Sequence, residues 1–217
     1  MMGRRSPERA RGTCGQVLPV VGIMLVALVC AVALAVDLSG AYRMEAAQRQ
    51  ELELAKDSVM GDLVALKFSD ADPASAPWVA DVGDALFADG FRGDFRVWWV
   101  ELPESLTGPL DRLVVMRVEL SQTYEDGLSQ AMGVSNTPVS STITFWANPY
   151  SSQEVWRPSG SGEESRLVYD GTVGDGGWTA THRSCARSAL PEDVIDSANE
   201  GLSQLSGGGP SSGTYAR

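Results

Sequence analysis

The chain has 217 residues, enough for one membrane-crossing segment and a compact domain of roughly 100 to 150 residues, but not for a second large domain. Its net charge of -11 is unevenly placed: Arg4, Arg5, Arg9 and Arg11 against Glu8 leave the first 16 residues at +3, whereas the remainder carries 13 Lys and Arg against 27 Asp and Glu, a balance of -14. So acidic a surface repels phosphate, and no nucleic-acid partner is expected.

Residues 17–36 form an uncharged block of 20, about the length that crosses a hydrocarbon core of ~30 Å as a helix. Pro19 falls in the first turn, where its missing N–H is harmless, and Gly22 is acceptable in a lipid-facing helix. Four arginines precede the block and Asp37 comes directly after it. The positive-inside rule therefore predicts a basic cytoplasmic N-terminus (1–16), a transmembrane helix (17–36) in the cytoplasmic membrane, and export of the residues from Asp37 onward. The competing reading is a cleavable signal peptide, because Ala33-Leu34-Ala35 has the small-x-small form. The block is longer than the usual signal core of ~7–15 residues. Arg4-Arg5 lacks the apolar residues that a twin-arginine export signal places after it.

Residues 37–68 contain no Pro and are rich in Ala, Glu, Gln, Leu, Arg and Lys, all good helix formers. Leu52, Ala55, Val59, Leu63 and Leu66 fall on one helical stripe, while Glu45 with Arg49 and Glu53 with Lys56 are spaced for ion pairs on the wet side. The membrane helix is thus expected to continue as an extramembrane helix (37–69), a rod of about 78 Å in all, with Gly40 as a hinge point.

A strand-rich ectodomain (70–187) comes next, opening on an Asp/Ala/Pro linker at 70–77. A short helix is expected at 78–88, with Trp78, Val82, Leu86 and Phe87 on one side and Asp89-Gly90 closing it. Strands are expected at 95–102, 112–120 and 139–147, with weaker ones at 154–157, 166–169 and 178–182. In the second, Val114, Met116, Val118 and Leu120 alternate with Arg117 and Glu119, which predicts one buried and one wet face. The fold class is α+β: a long transmembrane-plus-extension helix packed on a mostly antiparallel sheet. A C-terminal helix (188–205) carries Val194, Ile195, Ala198, Leu202 and Leu205. Residues 206–217 read as a flexible Gly/Ser tail, too poor in apolar groups to order itself.

The residues that carry chemistry are sparse, and no catalytic, cofactor or metal site is expected. His182 is the single histidine, and with Cys185 it supplies two potential ligands, too few for a zinc site; a surface histidine at a strand end is expected instead. Cys14, Cys30 and Cys185 lie in three different settings, so Cys185 is expected as a packed thiol, with an intermolecular bridge as the alternative. Residues 171–177 are glycine-rich but lack the lysine of a phosphate cradle, and predict a hairpin loop. Asp70, Asp72, Asp170 and Asp175 lack the spacing of a calcium loop and read as turn carboxylates. Of the tryptophans 78, 98, 99, 146, 156 and 178, Trp98 and Trp99 are strand neighbours and must face opposite sides. A ligand site lined by these rings, on a secreted or anchored binding domain or enzyme, is the alternative to core packing.

Arg11-Gly12 before an apolar helix containing Leu-Pro, then Ala-Val-Asp37-Leu-Ser-Gly-Ala-Tyr42 running into Ala46-Ala47-Gln48, resembles the N-terminal region of TadE/TadG-like proteins of the Flp (tight adherence) pilus-assembly system. The likeness covers residues 11–55. It implies a non-enzymatic, pseudopilin-like component of a pilus or secretion assembly, whose partners are the bilayer and other assembly proteins met through the N-terminal helix. Substrates of prepilin peptidase carry a Glu five residues after the processed Gly. Counting from Gly15 gives Val20 and from Gly12 gives Val17, so the likeness is to unprocessed TadG-type anchors.

Overall fold

The computed structural model describes residues 17–61, 77–108, 111–124, 137–149, 164–205 and 214–215. Its elements are α1 (Val17–Gly61), α2 (Pro77–Ala88), β1 (Gly93–Glu101), the single turn α3 (Glu104–Thr107), β2 (Val114–Tyr124), β3 (Thr137–Ala147), β4 (Ser165–Gly174), β5 (Gly177–Ser184) and α4 (Glu192–Leu205). The class is α+β. The five strands form one sheet of order β3-β2-β1-β4-β5, antiparallel at every pairing. The 45 residues of α1 form one unbroken helix of about 68 Å. Leu63 and Leu66 of the expected stripe, and the expected strand at 154–157, lie outside the described residues.

Period-two alternation assigns each strand residue to a face. Phe95, Val97 and Trp99 of β1 meet Val114, Met116, Val118 and Leu120 of β2, joined by Leu52, Ala55 and Val59 of α1 and Trp78, Val82 and Leu86 of α2 in one buried cluster. Trp99 and Trp78 stack at 4.1 Å, with Tyr169 edge-on to Trp78 at 4.9 Å. α2 stops where its sequence says it should. Gly90 takes φ 88°, Phe91 N–H donates to the Leu86 carbonyl at 3.0 Å and Gly90 N–H to that of Phe87 at 3.2 Å, the paired bonds of a glycine-ended helix.

The opposite face departs from the expectation that it is wet. Trp98, Val100, Leu113, Val115 and Val168 form a second buried cluster with Val194, Ala198 and Leu202 of α4. Two apolar faces explain why Trp98 and Trp99 are both buried. The alternation of Arg117 and Glu119 describes only the half of β2 past the apolar side of α4, where Arg117 meets the first turn of that helix through Asp193 at 3.0 Å. Arg112, expected to begin the strand, instead precedes it and forms a fully buried, two-pronged ion pair with Glu101, both contacts 2.8 Å.

Two further expectations are corrected. Gly40 is no hinge: α1 passes through it without a break, and a methyl group there would overlap the Tyr124 hydroxyl, so glycine serves close approach. The tail reading fails at Tyr215, which is 1% exposed in the second cluster. Asn199 clamps its backbone, accepting from the Tyr215 N–H at 2.8 Å and donating to its carbonyl at 3.2 Å. One aromatic ring supplies the burial that the Gly/Ser composition lacks.

Candidate functional site

The lower half of α1 is apolar on every side and uncovered. Leu18, Ile23, Met24 and Leu28 are each at least 66% exposed, and of the described positions before Asp37 only Ala33 is buried. By length and composition this helix can cross a membrane, and it lies near the N-terminus, compatible with a transmembrane or signal-anchor helix. From Asp37 upward its chemistry changes to two-sided. Glu45–Arg49 at 2.7 Å and Glu53–Lys56 at 3.0 Å pair on the open side as their spacing predicts.

On the covered side, Gln48 is fully buried and donates to Gln122 Oε1 at 3.1 Å and to the carbonyl of Val139 at 3.2 Å. Gln122 in turn donates to the Arg92 carbonyl at 2.6 Å. The helix thus meets β2 and β3 through a relay of amides, because an edge strand presents unpaired backbone groups that need partners. One turn on, burial and the nearby Asp89 raise the pKa of Glu51, whose Oε2 is buried without a hydrogen-bond partner among the described residues.

On the other face, past the apolar contacts of α4, the strands present charge. A concavity of about 470 Å³ is lined by Asp94, Arg96, Glu119, Ser121, Asp170 and Thr172, with Phe95 and Gly171 beneath. Its acids have partners: Asp170 accepts from Arg96 and, at 3.3 Å, from Arg183; Asp94 accepts from Thr172 at 2.8 Å; Glu119 is 3.7 Å from Arg117. Burial alone would raise the Asp170 pKa, but the bonds from Arg96 and Arg183 prevail and lower it. Arg117 and Arg96 stack over the Trp98 ring at 4.6 and 5.5 Å. This is a surface of mutually neutralised charge.

A second charged knot closes the far end of the sheet. Glu164 accepts from Arg187 at 2.9 and 2.5 Å and from the Tyr215 hydroxyl at 2.6 Å, and pairs with Arg166 at 2.6 Å. Burial opposes ionisation, yet Arg187, Arg166 and Tyr215 together pull the Glu164 pKa down to about 2. The Tyr215 phenol is pushed up to about 12 by burial and by the same carboxylate.

The residues singled out in the sequence are dispersed. His182 is exposed on β5, tilted against Tyr169 at 5.7 Å, while buried Cys185 belongs to the α4 face, its Sγ 3.3 Å from the Ala186 carbonyl; the two do not converge. Residues 171–177 form the β4–β5 hairpin, turning at Asp175-Gly176. Asp175 pairs with Arg92 at 3.1 Å, and Asp70 and Asp72 lie outside the described residues. Trp178 covers Gly83 and donates to Asp84 at 2.7 Å, and Trp146 packs at the second cluster near Gly201. Trp156 lies outside the described residues. No local pattern announces the Glu164 knot, although one tyrosine in a Gly/Ser segment is a usable signal.

No family model, curated protein or solved structure matches this chain.

Proposed function

We propose that this chain is a non-enzymatic, single-pass membrane protein, a pseudopilin-like component of a bacterial pilus or secretion assembly of the TadE/TadG-like kind. The observation that carries this reading is one continuous helix with two surfaces, apolar and uncovered below Asp37, and above it striped, with Gln48, Leu52, Ala55 and Val59 buried. Such a helix is at once membrane span and cover of the sheet, so a force or contact at either part is transmitted to the other without a flexible joint. The basic residues before it favour an N-terminus in the cytoplasm and a sheet domain outside.

The native host provides the test. Cross-linked membranes carrying the tagged full chain should yield pilus or secretion-assembly proteins, and replacing residues 17–36 by a cleavable signal peptide should abolish complementation of a deletion strain. Full complementation by the released domain would overturn the assembly role of the helix.

A further inference from the structure

We infer that the end of the sheet carrying Tyr124 and Thr137 is seated in the outer lipid headgroup layer of the bilayer that α1 crosses; this deepens, and rests on, the membrane reading above. Strand register defines that end. Gly93 begins β1, Tyr124 ends β2 opposite Thr137, which begins β3, and the β4–β5 turn lies at the same level. The Tyr124 hydroxyl fills the notch at Gly40, while Gln48, two turns higher on α1, meets Gln122 and Val139. The helix therefore climbs the sheet from the Tyr124 end.

Helix rise fixes the depth. Gly40 lies four residues past Val36, about 6 Å beyond the apolar block, and the headgroup layer on each side of a ~30 Å core is only about 5–7 Å thick. Burial marks the same overlap from the other direction. Ala33 and Asp37 are each 7% exposed, in line with the stripe that higher up carries Gln48, Leu52 and Ala55. On the open side of the same turns Leu34, Leu38 and Tyr42 are 62, 54 and 63% exposed. Burial on that side thus begins at Ala33, on the same turns as the open apolar side chains Leu34, Leu38 and Tyr42, so the covered stripe and the lipid-facing surface overlap along α1. Two tyrosines, 42 and 124, fall at the level where amphipathic aromatic rings prefer to sit.

The test uses the full chain in lipid nanodiscs, with Cys14→Ser and Cys30→Ser and a nitroxide label on one introduced cysteine; buried Cys185 is retained, and the chain without an introduced cysteine gives the background. Labels go at Val26 in the apolar block, Thr137 at the proposed seat and Ser188 at the opposite end, all exposed positions. Collision with oxygen relative to a water-soluble nickel complex should be highest at Val26, lowest at Ser188, and several-fold above Ser188 at Thr137. A Thr137 label as water-exposed as Ser188, with Val26 in lipid, overturns the seating and leaves the anchor intact. A water-exposed Val26 overturns both. Should Thr137→Cys disturb folding, Pro138→Cys, exposed beside it, reads the same depth.

Discussion

Glu101 and Arg112 sit at 1% exposure with two hydrogen bonds between them, so removing either the carboxylate or the guanidinium leaves a buried group without its paired partner. Glu101→Ala should destabilise the domain by about 3–5 kcal/mol, measured by chemical denaturation of the full chain in mild detergent. Replacing both residues by apolar ones of similar size should cost much less. Glu164 and Tyr215 give the fold two pH limits. The Glu164 pKa is about 2 against an ordinary 4.5, so its contribution is complete above pH 4.5 and is lost as pH falls from there through about 2. Tyr215 is held neutral, at about 12 against 10.0, so its contribution is complete below pH 10 and is lost as pH rises through about 12. Glu164→Gln should flatten the acid limb of a stability-against-pH curve, and Tyr215→Phe the alkaline limb. Neither knot was legible in the sequence, because partners 11, 23 and 51 residues apart leave no local pattern.

At the scale of elements, the two periods were legible wherever one face decides the pattern. The stripe Leu52, Ala55, Val59 and the alternation of 114–120 are both confirmed by burial. Misreading came where two faces are covered in different places: the second face is apolar at Leu113, just before β2, and at Val115, and charged at Arg117 and Glu119, and a short window sees only the charged half. α4 comes close enough that a Cβ on Gly201 would lie 2.8 Å from Leu113 and 3.2 Å from Trp146. Gly201→Leu should therefore loosen α4 from the sheet, costing about 1–3 kcal/mol and lowering hydrogen-exchange protection in α4 more than in α2. Gln48→Leu should cost about 1–3 kcal/mol by stranding buried acceptors, read by the same denaturation assay.

For the molecule as a whole, the long helix and the acidic sheet domain form one unit: an apolar half exposed at every described position but Ala33, and a striped half whose buried face meets β2 and β3. The N-terminal half of α1 was the most legible part of the sequence, because 20 uncharged residues in a row specify a long apolar helix, compatible with a transmembrane or signal-anchor helix. The candidate surfaces above it were not legible, since they are assembled from five strands whose order, β3-β2-β1-β4-β5, no local signal encodes. The central claim is that α1 is a retained span. Alkaline carbonate extraction of membranes from the native host, followed by intact mass of the extracted chain, tests it directly. A retained span predicts the chain in the membrane pellet with residues 17–36 still attached; a carbonate-soluble chain beginning near Val36 would contradict it.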